Sequence, residues 1–252
     1  IKYGLALLLL SFYSCESWLN VTPSDRLSEE MLFNDREGFV KALNGVYIEL
    51  NTNELYGRNL TAGALDVMGQ YYSVASSSHA FYNYGGLVYT GNDEKALFDN
   101  MWQKCYAVIA CCNTIIEKCD ENKAGLSPVW KGSIKGEALA LRAMLHFDML
   151  RLFGPLTSEL DKESIPYQTN SDQTVTPLLS GSEVIGLILD DLKNAVGLLK
   201  DTDPYFVEEE FSDTDLNYRR FRMNYFAAKG LMARVQLWGG DKEKAAATAK
   251  EV

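Results

Sequence analysis

The chain has 252 residues, 47% of them hydrophobic, and a formal net charge of −10. That length and apolar content suffice for a packed core, in one large domain or two small ones. The acidic balance, with no basic stretch anywhere, excludes nucleic-acid phosphate as a partner.

Residues 1–14 read IKYGLALLLLSFYS. The apolar run from Leu5 to Leu10 is too short to span a bilayer. A charged start at Lys2 and an apolar centre give it the layout of an export-signal remnant. The Ser14-Cys15 junction resembles a bacterial lipoprotein cleavage site, in which Cys15 becomes the lipidated first residue, although Phe12 and Tyr13 depart from the usual pattern; a buried helix is the plainer alternative. Residues 15–252 then read as one helical region. With Ile1 at the start and an Ala-rich helical pattern running out at Val252, the sequence reads as a fragment of a longer chain.

An extended stretch, Trp18 to Pro23, precedes a helix opening at Ser28-Glu29 and running through MLFNDREGFVKALNGVYIEL, with Met31, Leu32, Phe39, Leu43, Val46, Tyr47 and Leu50 as its apolar residues. Residues 51–95 lose all periodicity and are rich in Gly, Ser, Asn and Tyr; loops this long are usually functional. A second helix covers about 94–119. Its Cys105, Cys112 and Cys119 fall seven apart, on one face and about 10.5 Å from one to the next along the axis. That is too far for a disulfide within the helix, so they read as core thiols.

The third helix starts near Pro128. Its second part, Gly136 to Pro155, has two apolar stripes and must be packed on both sides. Ala138, Ala140 and Ala143 would let neighbours approach, Gly154 can supply a left-handed cap, and Pro155 blocks continuation. Glu137 and Arg142 are expected to bond within the stack, and His146 to be a hydrogen-bonded core or interface residue. Residues 156–180 look irregular. Ser182 is the expected cap of a fourth helix whose Asp190-Asp191 pair falls on the polar side. An acidic loop, Asp201 to Asp215, leads to a fifth helix over about 223–239, with Ala227, Ala233 and Val235 at positions that need small or apolar residues. A sixth helix begins at Asp241. The Gly240-Asp241 turn followed by Ala245 resembles the turn of a tetratricopeptide repeat. The fold class expected is therefore all-α, with tetratricopeptide-like helix pairs and long irregular loop insertions; an irregular bundle is the alternative.

Six segments in order resemble the SusD/RagB family, the surface glycan-binding lipoproteins of Bacteroidetes. They are the lipoprotein cysteine with Trp18-Leu19 and Pro23; Leu43-Asn44-Gly45-Val46-Tyr47; Trp102, Tyr106, Ile109 and Asn113; Gly136-Glu137-Ala138 through Arg142-Ala143, Phe147 and Phe153-Gly154; Ile165-Pro166 with the Asp190-Asp191-Leu192 helix; and Ala227-Ala228, Ala233-Arg234-Val235 and Leu237. Two departures matter: Gly154 is followed directly by Pro155, and family members are about twice this long. The resemblance implies a lipid-anchored protein on the cell-surface side of the outer membrane. Its partners would be a glycan, or a peptide in some members, and a SusC-like TonB-dependent transporter on which it acts as a lid.

Sugar binding calls for flat aromatic faces to stack on pyranose rings, with amides and charges for the hydroxyls. The insertion before the Trp102 helix supplies such groups: Asp66, Gln70, Tyr71, Tyr72, His79, Phe81, Tyr82, Asn83, Tyr84 and Tyr89. The plainer alternative is that these rings cover a small core of the loop's own. A second function would be a repeat scaffold that docks peptides without binding glycans; the long Tyr-rich insertion speaks against it. No GxSxG, GxGxxG, P-loop or HExxH motif is present, so no catalysis and no cofactor are expected. No zinc spacing exists among the Cys and His residues. Glu208-Glu209-Glu210 with Asp213 and Asp215 lack the EF-hand pattern and read as a solvated charge run rather than a calcium site; no metal is expected.

Overall fold

The computed structural model describes residues 29–172, 174–207, 211–212 and 218–252. The expected lipidation residue Cys15, the residues 1–14 and the acidic residues Glu208 to Glu210, Asp213 and Asp215 lie outside them. Among the described residues, nine helices and one small sheet follow in order: α1 (Glu29–Leu32), α2 (Arg36–Leu50), α3 (Ala64–Met68), α4 (Tyr82–Gly85), α5 (Asn92–Glu121), α6 (Pro128–Phe153), β1 (Glu163–Pro166), β2 (Leu178–Ser180), α7 (Gly181–Thr202), α8 (Tyr225–Trp238) and α9 (Lys242–Ala249). This is the expected helical architecture. None of these helices is long and apolar enough to cross a membrane.

Helix α6 is the axis of the stack. From Gly132 to Leu150 every residue except Lys135 and Met144 is buried, because α2, α5, α7, α8 and β1 all pack on it. Its partner α7 lies closest. A methyl group at Gly136 would sit 2.8 Å from Leu199 Cγ, and one at Gly132 would sit 2.5 Å from Thr202 Cγ2. The close approach therefore runs through Gly132 and Gly136, four residues apart on one face, as well as through the buried alanines. The final pair, α8 and α9, closes as the repeat pattern predicts. Asp241 caps α9 by accepting from the Lys244 amide, Gly240 takes φ +92°, and Ala245 is buried.

Several expected boundaries shift for identifiable reasons. The first helix is broken at Asp35, whose side chain accepts from the Gly38 amide and restarts the chain as α2. Gly154 is extended rather than left-handed, at φ −84° and ψ 179°, because a residue before proline is pushed out of the helical region. The cap of α7 is Ser180, not Ser182. Ser180 and Glu183 form a reciprocal capping box, with the carboxylate accepting from the Ser180 amide at 2.8 Å. The stretch expected to be irregular holds β1 and β2, antiparallel, pairing Glu163 with Ser180 and Pro166 with Leu178. In α8 it is Ala228 that packs inward, while Ala227 is exposed.

The buried ionisable residues of α6 are consumed inside the stack. Arg142 donates to both oxygens of Asp191 at 2.7 Å and to Asn113 Oδ1 at 2.8 Å, while the Tyr167 hydroxyl donates to Asp191 Oδ2 at 2.6 Å. Asp191 is thus buried, contrary to the solvent-facing position expected for both members of the pair; Asp190 alone is exposed. Successive helix residues are about 100° apart, and Arg142 draws in the one that faces α6. His146 is fully buried, stacked on Tyr167 at 3.9 Å, with Nδ1 against the Arg142 carbonyl and Nε2 accepting from the Gln168 amide. Burial lowers its pKa to about 3, so it stays neutral and has no nitrogen left for a ligand. Glu137 accepts from the Tyr47 hydroxyl at 2.5 Å, from Arg222 Nε at 2.8 Å and from Arg219. Cys105, Cys112 and Cys119 are fully buried, as their spacing predicts.

Candidate functional site

The insertion at 64–91 is a compact satellite rather than a structureless loop. Ala64, Val67 and Tyr84 form its own small core, against which Met68, Val74, Phe81 and Tyr89 pack. Short helices α3 and α4 are joined by Gln70, which adopts φ 60° and donates through Nε2 to the Gly85 carbonyl at 3.0 Å. Asn83 Nδ2 donates to Glu94 Oε1 at 2.7 Å, and so staples α4 to the first turn of α5. The carboxylate there also complements the positive end of the helix dipole.

An aromatic seam fixes the satellite to the stack. Tyr84 meets Phe98 at 5.9 Å, Phe98 meets Phe153 at 6.3 Å, and Phe153 meets Trp102 at 5.1 Å. Trp102 then meets Tyr106 at 4.7 Å, and Tyr106 meets His146 at 5.9 Å. Edge contacts of this kind favour one mutual orientation, which holds the satellite rigidly on the C-terminal end of α6.

The ten sequence-selected residues divide into two groups. Tyr84 is 2% exposed and belongs to the satellite's core; burial first, then the carboxylates of Glu94 and Asp93, push its hydroxyl up to about 12. It offers no face to a ligand. Phe81 and Tyr89 are half-buried beside it, Gln70 and Asn83 are struts, and the His79 ring accepts from the Phe81 amide at 3.1 Å. Asp66 is half-buried in α3, where its carbonyl accepts from the Tyr71 amide at 2.9 Å. Tyr71, Tyr72 and Tyr82 remain, with exposures of 80%, 56% and 42%. Two residues not selected from the sequence add apolar surface: Leu87, held at φ 55°, and Val88, both exposed. A methyl group on Gly69 would meet the Tyr71 ring at 3.1 Å, so this glycine lets the ring lie close over the backbone. Rigid, exposed tyrosines flanked by amide groups can stack on an amphipathic ring and bond its hydroxyls. Among the described residues no group of three metal-ligating side chains occurs.

Comparison with known proteins gives a consistent picture. The SusD-like family model described as "Starch-binding associating with outer membrane" matches residues 17–237. A SusD-like protein of Formosa agariphila is 25% identical along 100% of this chain, which covers 45% of that protein. A SusD-like protein of Bacteroides ovatus is 30% identical over 146 residues, 56% of this chain and 23% of the relative. Among solved structures, a SusD-like carbohydrate-binding protein of Bacteroides vulgatus superposes with a TM-score of 0.68 at 23% identity, over 86% of this chain and 44% of the other. A laminarin-binding SusD-like protein gives a TM-score of 0.64 at 17% identity, over 87% and 43%. The solved structures share the fold, and the chain spans under half the length of the relatives it matches.

Proposed function

Taking as premise that the chain belongs to the SusD-like family, whose model matches most of its length, we propose that the complete protein binds a neutral glycan outside the outer membrane through the exposed face of the 64–91 satellite. On this reading it hands the glycan to a TonB-dependent transporter, is held at the membrane by a lipid on Cys15, and binds without catalysing. The observation that carries the reading is the exposure of Tyr71, Tyr72 and Tyr82 on a unit whose own core is already filled by Tyr84. Rings needed for folding are buried, and these three are not, although exposing them forgoes apolar burial.

The test is calorimetric titration of the complete protein with maltoheptaose and with laminariheptaose. The triple variant Tyr71→Ala, Tyr72→Ala, Tyr82→Ala is expected to lose binding at the satellite with its circular dichroism unchanged. Unaltered affinity in a folded triple variant would sink the assignment. Mass spectrometry of the Cys15 peptide tests the anchor, and co-purification with an outer-membrane transporter tests the delivery step.

A further inference from the structure

A second cleft, of about 510 Å³, opens at the other end of α6. Phe153 anchors the satellite, whereas Trp130 lines the cleft. The two lie 23 residue steps apart, about 35 Å of helix at 1.5 Å per residue. The cleft is therefore separate from the tyrosine face.

Its walls come from two helices and two connecting stretches. Asn44 and Tyr47 belong to α2, Trp130 and Glu137 to α6, Pro204 and Phe211 to the stretch after α7, and Tyr218, Phe221 and Arg222 to the approach to α8; Phe211 lies 4.5 Å from the Trp130 ring. Phe221 and Tyr218 are 73% and 63% exposed, and the Arg220 guanidinium lies over the Phe221 ring at 4.9 Å. At the base, Glu137, Asp203, Arg219 and Arg222 form one bonded cluster. Arg219 reaches Asp203 through Nε at 3.0 Å and Nη2 at 2.6 Å, and also donates to Glu137; Arg222 completes the pairing with Glu137. Two carboxylates and two guanidiniums balance, so the cluster has no net charge to select an ion. Among the described residues, Arg222 uses Nε for Glu137 and Nη1 for Asn44 Oδ1. The Nη2 group of Arg222 and the Nδ2 group of Asn44 remain as donors for a further acceptor.

We propose that this cleft is a second binding site for one or a few units of a neutral glycan. Its volume and its largely apolar walls with a few fixed polar groups are those of a small-molecule site. A wholly apolar ligand would cover the two donors without pairing them, at a desolvation cost. The base cluster offers a charged ligand no net charge, and the two rim arginines, Arg36 and Arg220, already lie over the Trp130 and Phe221 rings. A neutral ring with hydroxyls at its edge and C–H groups on its face meets both the rim aromatics and the donors. The identity of the ligand as a glycan rests on the reading above; the separation of the two sites does not.

The test is stoichiometry. Maltoheptaose and laminariheptaose are titrated into the complete wild-type protein, the satellite triple variant and a cleft variant, Tyr218→Ala with Phe221→Ala. Both rim rings are exposed, so the cleft variant keeps the stack intact. Two sites per chain are expected in the wild type with at least one of these probes, and one in each variant. Trp130 fluorescence should respond to glycan in the satellite variant but not in the cleft variant. One site per chain that the satellite variant retains and the cleft variant loses would overturn the earlier assignment and leave the cleft standing. One site per chain that the cleft variant retains, or no binding and no Trp130 response in the satellite variant, overturns the cleft.

Discussion

The stack around α6 and the 64–91 satellite treat the same side-chain chemistry in opposite ways. In the stack, the buried ionisable groups on α6 are already spent on neighbours. Arg142 is held by Asp191 and Asn113, Glu137 by two arginines and Tyr47, and His146 by two backbone groups. In the satellite, one tyrosine fills the core and three stand in solvent. A buried polar network fixes a single arrangement and is expensive to break. A surface aromatic costs the fold little and is free to recognise. Rigidity and recognition are therefore carried by different segments, joined by the seam from Tyr84 through Phe98 to Phe153.

The largest break in that contrast is Arg142→Ala. It leaves Asp191 buried without its cation, which should cost about 3–5 kcal/mol in a denaturant titration. A loss below about 1 kcal/mol would mean that the network is ornamental to stability.

Next comes acid. The His146 ring titrates at about 3 in the fold against the ordinary 6.5. Between those values the unfolded chain binds a proton that the fold refuses. The contribution is complete above 6.5 and is lost as pH falls toward 3. From pH 7 to pH 5 it amounts to about 2 kcal/mol. His146→Gln keeps one donor and one acceptor and should flatten this part of the profile; equal slopes in the two proteins would contradict it.

Asn83→Ala sharpens the contrast at the junction. It removes one bond to the buried Glu94 carboxylate, worth about 1.5 kcal/mol. Amide exchange should rise across 64–91 and stay unchanged in α6. Rise throughout the stack would show that the two regions open together. Smallest of all, replacing Tyr71, Tyr72 and Tyr82 should move stability by no more than about 0.5 kcal/mol while abolishing binding at the satellite. A larger loss would mean that the exposed rings serve the fold.

Much of the frame was legible in the residues. The double stripe of Gly136 to Pro155 requires neighbours on both sides, and seven-residue spacing puts Cys105, Cys112 and Cys119 on one buried face. The Gly240-Asp241 turn with Ala245 closes the last pair as its pattern predicts. Two local signals mark the observed ends: a residue before proline is biased to the extended region, and Ser180 with Glu183 spells a capping box. Periodicity, capping and steric exclusion act within a few residues, so a sequence carries them whole. Which of two adjacent carboxylates is buried, which of the five satellite tyrosines fills the core, and how Glu137 gathers Tyr47, Arg219 and Arg222 around a cleft are different matters. Those partners lie up to 90 residues apart in the chain, and their pairing exists only once α2, α6 and the approach to α8 have packed together. Local chemistry wrote the helices; the crossing of those helices decided which side chains were left to face a ligand.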